Sequence, residues 1–438
     1  MITYENYKKS GIEWLGDIPS NWKTIRTTDV SISNKSLNRN LLENNLLSLS
    51  YGKIIRKDIN TAVGLLPASF ENYQIVEKGD IILRLTDLQN DKKSLRVGLV
   101  EEKGIITSAY LGLKLNSNVN SKFIFYLLYS YDINKVFYSQ GGSMRQSMKF
   151  DDFKSIYLVI PDEHSQKQIA TYLDNKTEAI DKKIDLLSKK INYYKEYCKS
   201  IINETVCKGL DKNVKLKETE LGFKVNSNYN NYRLKDLGKL YSGLSGKAGD
   251  DFNQDININN KGFIPFTNIA NNIYLKKDHL GTVVVYENEK QNKVKKGDIF
   301  FLMSSEGYED IGKSAILDDE LEETYLNSFC KGFRMINKKA NPYFLNYILL
   351  SDNYRKQLTV EGKGFTRINL KMEKVNDFVV YIPKSIQEQN NIVEYIDTKT
   401  QTIDKIIKNI NSQITILKQL RKTLINDVVT GKIKVTQD

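Results

Sequence analysis

The segment GYEDIGKS, Gly307 to Ser314, has the spacing G-x-x-x-x-G-K-S. Residues so spaced can cradle phosphates, with backbone N–H groups around the oxygens and the lysine on the terminal phosphates. That chemistry needs a helix directly after the loop, because a helix N-terminus holds the anion. Here GDIFFLM before the loop reads as a strand, and AILDDE after it as a short strand and turn. The matching place in the first half of the chain, SLRVGLVEE from Ser94, has no such motif. A lysine-bearing loop between two strands fits a phosphate or base contact on nucleic acid, and no ATP is expected on this chain.

Other reactive constellations fail on similar grounds. Asn341-Pro342-Tyr343-Phe344 resembles the Asn/Asp-Pro-Pro-aromatic motif that amino-methyltransferases place at a target amine. The second proline is absent, the counterpart NSKF from Asn120 lacks even the first, and no Gly-rich S-adenosylmethionine loop accompanies it. The stretch reads as a helix start with proline in its first turn. His164 and His279 each lack a neighbouring Cys or second His, so neither a zinc site nor a Ser-His-Asp or Cys-His pairing emerges. Cys198, Cys207 and Cys330 are odd in number and without paired spacing, which fits a reducing cytoplasm. No clustered carboxylate-and-lysine set typical of a nuclease stands out. The expectation is a non-catalytic chain with no metal and no cofactor of its own.

What remains is binding chemistry. LRLTDLQNDKKSLR, Leu83 to Arg96, and FLMSSEGYEDIGKS place cationic, amide and hydroxyl side chains on turns between strands. GGSMRQSM from Gly141 and GKGFTRIN from Gly362 add glycine-flexible loops, each with one arginine and an amide residue. Arg and Lys neutralise phosphates or pair with guanine, and Gln and Asn pair with adenine. The candidate DNA contacts in the first half are Arg84, Thr86, Gln89, Asn90, Lys92, Lys93, Arg96, Arg145 and Gln146. In the second half they are Ser304, Ser305, Tyr308, Lys313, Lys363, Arg367 and Asn369. A single loop of this kind is as readily a solvated turn. The signal is that both halves place such loops at matching points.

The balance of the whole chain agrees. It has 438 residues, 40% hydrophobic, and a net charge of +12, enough for two or three domains and suited to a polyanionic partner. MITYENYKKSGIEW carries no signal-peptide core, and no run of about 18 apolar residues suggests a membrane span.

The loops need elements to position them, and these occur twice. IPDEHSQKQIATYLDNKTEAID from Ile160 and IPKSIQEQNNIVEYIDTKTQTID from Ile382 share their opening and close. Asp174, Lys176 and Thr177 match Asp397, Lys399 and Thr400, 223 positions on. Beyond them runs a stripe of Ile180, Ile184, Leu187, Ile191, Tyr194, Cys198 and Ile201. Its match is Ile403, Ile407, Ile410, Ile414, Leu417, Arg421 and Leu424, with Arg421 the polar intruder. Both step by four and three, the spacing of a coiled-coil seam. From Asp174 to Val206 such a helix is about 50 Å long at roughly 1.5 Å per residue. Each stripe is the simplest partner for the other. Upstream, Lys78-Gly79-Asp80-IILRL matches Lys296-Gly297-Asp298-IFFLM, and ITSAYLGLKL from Ile106 matches LNSFCKGFRM from Leu326. NSKFIFYLLYS matches NPYFLNYILLS, Arg145 falls over Arg367, and Trp22 and Tyr232 open the two regions. The chain is a tandem duplication of a variable α/β domain followed by a long helix.

SGIEWLGDIPSNW (Ser10 to Trp22), the paired KGDI segments and the two Ile-Pro-to-heptad blocks resemble the specificity subunits of type I restriction–modification systems. The resemblance spans essentially the whole chain. It implies a mixed α/β fold in which two target-recognition domains alternate with two long helices, the helices forming an antiparallel intramolecular coiled coil with pseudo-two-fold symmetry. The expected domains are 1–160 and 210–382 for recognition, with spacer helices at 161–209 and 383–438. It also implies that each domain reads half of a split double-stranded DNA target while the helix pair sets the gap. Two modification subunits would bind S-adenosylmethionine and methylate adenine at N6. Two restriction subunits would use ATP and Mg²⁺. The departures are Arg421 in the seam and Tyr232 where such openings carry Trp. The rival expectations are a self-sufficient modification or cleavage enzyme and a coiled-coil adaptor without DNA specificity.

Overall fold

A computed structural model describes residues 2–60, 67, 69–86, 88, 95–138, 147–254, 256–364 and 366–436. The chain forms two compact units, one of residues 1–188 with 411–438 and one of residues 189–410.

Each unit is built on a four-stranded antiparallel sheet of one topology. In the first unit the strands are β1 (Ser31–Ser33), β2 (Ile81–Leu83), β3 (Val97–Leu99) and β4 (Leu111–Leu115), in the order β1-β4-β2-β3. In the second they are β5 (Gly238–Ser242), β6 (Ile299–Leu302), β8 (Ser314–Ile316) and β9 (Cys330–Met335), in the order β5-β9-β6-β8. β7 (Ser304–Ser305) and β10 (Ile368–Asn369) form a separate two-stranded ladder.

The paired apolar runs explain themselves here. Successive strand residues point to opposite faces. Ile81 and Leu83 enter the main core with helix α1 (Ser121–Ile133), while Ile82 enters a smaller core with Leu47, Leu49, Val76 and Ile106. In the second unit Ile299 and Phe301 pack toward α3 (Pro342–Leu350), and Phe300 and Leu302 toward Ile264, Leu317 and Leu326. Both faces of each central strand are covered, so no polar residue alternates. The KGD segments are the turns into these strands. Gly79 and Gly297 have φ of +99° and +84°, which glycine adopts at no steric cost. The carboxylates of Asp80 and Asp298 accept the N–H groups of Glu77 and Lys295 at 2.9 and 2.8 Å.

The long helices are α2 (Glu163–Lys208) and α5 (Ile386–Val429). Every position of the two heptad stripes is buried or half-buried, whereas the off-stripe Leu186, Tyr193, Ile416 and Leu420 are exposed. In the first unit Ile169 and Leu173 share a core with Ile425 and Val429, and Asp181 pairs with Arg421 at 3.1 Å. In the second, Ile202 and Val206 share a core with Ile392 and Ile396, and Cys198 feels the carboxylate of Asp404. The helix segments therefore run antiparallel within each unit. Arg421 is accommodated in the seam because Asp181 neutralises it and the Tyr129 ring lies 5.7 Å beneath it.

The duplicated polar residues tie each helix to its reader. Gln166 accepts the N–H of Asn120 at 2.9 Å and donates to the Pro161 carbonyl. Gln389 does the same with Asn341 at 2.7 Å and Pro383. Asn120 and Asn341 in turn cap α1 and α3, accepting from Phe123 and Tyr343. Asp174 accepts the Tyr126 hydroxyl at 2.8 Å; Asp397 accepts those of Tyr347 and Tyr274.

One sequence match needs correction. Trp22 directly precedes the strand Lys23–Arg26, which pairs with Tyr157–Ile160. The equivalent strand Asn230–Arg233 pairs with Val379–Ile382, and the residue before it is Tyr229. Tyr229 is fully buried like Trp22, and each lies beside the glycine that ends a long helix, Gly209 and Gly431 respectively. Tyr232 lies within the strand and is only half-buried, so Tyr229 is the counterpart of Trp22.

Replacing Asp397 by Ala removes the acceptor shared by two tyrosine hydroxyls, one of them on the fully buried Tyr347, and is expected to lower stability by about 1–3 kcal/mol. Asp174→Ala is expected to cost less, because Tyr126 keeps Thr177 Oγ1 at 3.1 Å. Urea unfolding of the two variants checks the order.

Candidate nucleic-acid interface

The candidate loops leave one end of each sheet. In the second unit Leu302 at the end of β6 faces Cys330, and Ser242 at the end of β5 faces Lys331. The 303–313 loop, the turn at 243–248 and residues 327–329 therefore emerge together. The β7·β10 ladder brings a remote segment to the same place: Ser304 pairs with Asn369 and Ser305 with Ile368. Lys363 and Asn369 exchange two backbone hydrogen bonds of 3.0 and 2.9 Å. Met303 donates to the Phe329 carbonyl, and the Arg367 guanidinium lies 4.8 Å from the Phe329 ring centre.

This gathers Ser304, Lys363, Arg367 and Asn369, with Lys363, Arg367 and Asn369 exposed. Tyr308 is 52% exposed on the 303–313 loop, and Phe329 is 49% exposed. Cationic, amide and aromatic side chains on one surface can engage phosphates, base edges and base faces.

Three candidate contacts are engaged by the protein itself. Arg96 has 0% exposure. Its Nη1 donates to the carbonyls of Arg84 and Thr86 at 2.9 and 2.8 Å, and its Nε to the Tyr138 hydroxyl. It braces the loop that holds Arg84 and Thr86, both half-buried, and offers no surface to DNA. Ser305 is 6% exposed because it points inward from β7, and its Oγ accepts the Gly307 N–H. Lys313 donates to Asp310 Oδ1 at 2.6 Å and to the Ala270 carbonyl at 3.3 Å, so its charge is largely compensated. Gln89, Asn90, Lys92, Lys93, Arg145 and Gln146 lie outside the described residues.

The G-x-x-x-x-G-K-S loop closes as a hairpin between β6 and β8. Gly312 N–H donates to the Leu302 carbonyl and Lys313 N–H to that of Asp310, so those amides are turned to the protein. Ser314 opens a strand rather than a helix.

Sequence reasoning missed Arg355 and Phe329. Arg355, on helix α4 (Asp352–Val360), donates to the carbonyls of Ile311 and Glu309 at 2.7 and 3.0 Å. It braces the second loop as Arg96 braces the first, yet the two arginines occupy unmatched sequence positions. Phe329 had one available signal, an aromatic residue between polar ones at a strand start. Burial pushes the Cys207 thiol up to about 11 and the Cys330 thiol up to about 12.

Among the described residues no helix is long and apolar enough to cross a membrane, and no cluster of three His, Cys, Asp or Glu could hold a metal. Two copies of one reader fold, each loop-bearing and each fastened to a long helix, define a duplicated DNA-recognition protein. The family of the type I restriction modification DNA specificity domain matches residues 19–193 and again 226–415, and the chain belongs to it. It is similar to a chain in a structure solved for complex assembly and conformational transition of the type I R-M system. That likeness has 14% identity, covers 95% of this chain and 99% of that one, and has a TM-score of 0.67. It is also similar to the HsdS subunit from Thermoanaerobacter tengcongensis, with 13% identity, coverage of 95% and 98%, and a TM-score of 0.52. No curated protein sequence matches it. The chain is a DNA specificity subunit of a type I restriction–modification system.

A raised thiol pKa lowers the thiolate fraction at neutral pH, and the thiolate is the species that alkylates. Iodoacetamide at neutral pH is expected to leave Cys207 and Cys330 unmodified in the folded chain and to label both after unfolding in urea. Peptide mass mapping reads the difference.

Proposed function

We propose that the chain reads a split double-stranded DNA sequence, one half with each unit, and positions two modification subunits on it. The observation that carries this is the reuse of one attachment. Gln166 and Asp174 fasten the first reader to α2, through Asn120 and Tyr126, as Gln389 and Asp397 fasten the second to α5, through Asn341 and Tyr347. A repeated rigid joint suits a device in which reader position matters, since half-sites must fall at the right helical phase. One reader covers few base pairs; two add their discrimination at roughly 1–3 kcal/mol per base pair.

The modification subunits would carry S-adenosylmethionine and methylate adenine at N6. Two restriction subunits would supply ATP- and Mg²⁺-dependent translocation and cleavage, all in the cytoplasm. This chain would contribute recognition and no chemistry. Its net charge of +12 supports steering toward DNA. Recognition domains at 1–160 and 210–382, with spacer helices at 161–209 and 383–438, are the working division. Arg84, Thr86, Gln89, Asn90, Lys92 and Lys93, with Arg145 and Gln146, are the proposed contacts of the first reader. Ser304, Tyr308, Lys363, Arg367 and Asn369 are those of the second.

Adenine-methylation mapping of DNA from a host expressing this chain with and without its modification partner tests the reading. A split motif with a fixed unspecified gap is expected only with both proteins. Methylation by this chain alone would make it an enzyme, and salt-independent failure to retard duplex DNA would make it an adaptor. A heptad inserted in each helix, in register, is expected to lengthen the gap and keep both half-sites; an unchanged gap would sink the spacer role.

A further inference from the structure

The second unit contains four arginines, Arg233, Arg334, Arg355 and Arg367. Three have acceptors within the protein. Arg233 faces Asp377 at 3.7 Å, Arg334 makes two hydrogen bonds to the buried Asp298, and Arg355 holds the carbonyls of Glu309 and Ile311. Arg367 is exposed, and among the described residues no carboxylate or carbonyl receives its guanidinium. It lies instead over Phe329, 4.8 Å from the ring centre.

We infer that Arg367, held on the face of Phe329, pairs in bidentate fashion with O6 and N7 of a guanine in the half-site read by the second unit. The inference rests on the DNA reading proposed above and adds the base and the groove. A guanidinium on an aromatic face is attracted by the ring quadrupole and keeps its N–H donors free at its edge. Those donors form a planar fork that matches the major-groove edge of guanine, the commonest specific arginine contact. The backbone beneath Arg367 is fixed on both sides. Ser304 and Ser305 pair with Asn369 and Ile368, and Lys363 exchanges two bonds with Asn369. The Asn369 side chain further donates to the Arg367 carbonyl at 3.2 Å. Fixing the main chain and stacking the side chain removes freedom that a phosphate contact has no use for. The exposed Lys363 beside it, a flexible point charge, suits the phosphate.

The test uses the whole complex of this chain with its modification subunits, and duplexes carrying the split motif mapped as above. Each guanine of the second half-site is replaced in turn by 7-deazaguanine, which lacks N7 and still pairs with cytosine. One replacement is expected to lower methylation about tenfold with the unaltered chain. In Arg367→Ala, already slowed to a similar degree, the same replacement is expected to have no further effect, and motif mapping should show that position relaxed. Phe329→Leu, which keeps an apolar side chain under Arg367, should fall between the two. The first half-site stays unchanged in both variants. Sensitivity to 7-deazaguanine that persists in Arg367→Ala, with uniform weakening on all sequences, would mean a phosphate contact and would overturn the inference. So would indifference of the unaltered complex to every replacement, although the split-site reading would survive. Absence of any sequence-dependent methylation would overturn both.

Discussion

Everything in this chain depends on a pair of side-chain joints made twice. A glutamine near the start of each long helix receives the N–H that opens the reader's own helix, and an aspartate two turns on receives a tyrosine hydroxyl from it, Tyr126 in one unit and Tyr347 in the other. These are directional bonds in a largely apolar setting, with Gln166 and Gln389 themselves buried. A buried amide satisfied at both ends tolerates one orientation, because any other leaves a donor or acceptor unpaired at a cost of about 1–3 kcal/mol. Apolar packing alone would allow a reader to slide or rock on its helix. The joints convert a greasy contact into a defined angle.

The same logic continues outward from joint to loop. The central strands β2 and β6 are covered on both faces, so each sheet is held by two cores at once. An arginine in each unit donates to loop carbonyls, Arg96 to those of Arg84 and Thr86 and Arg355 to those of Ile311 and Glu309. A buried guanidinium bound to carbonyls trades its hydration for several fixed hydrogen bonds, which favours one loop shape. A loop already held in one shape loses little freedom on binding, and low ordering cost is what lets a small contact area discriminate between sequences.

Charge is divided between these two tasks. A strongly basic chain could have scattered its cations over the surface. Many of its cations do lie on the surface, yet Arg96, Arg334, Arg355 and Arg421 are engaged by carbonyls or carboxylates of the protein, and Lys313 is tied to Asp310. Cations that shape the reader and cations that remain available to a ligand differ in whether an acceptor lies within reach, and residue type does not distinguish them.

The sequence by itself determined the architecture. A four-three apolar step repeated twice makes a seam, and continuous apolar runs after KGD make strands covered on both faces; both follow from local periodicity. Gln166, Asp174 and their copies could be seen to recur, although not what they bind. Only the tertiary structure decided which polar residues face out. Arg96 and Ser305 sit in loops of the right composition, yet one is buried under its own loop and the other turns inward. Trp22 finds its counterpart in Tyr229 because strand pairing sets the register. Ser304 meets Asn369, and Arg367 meets Phe329, across separations that no periodicity spans. Periodicity is a property of neighbours along the chain. Whether an arginine is spent on a carbonyl or left for a base is set by neighbours in space.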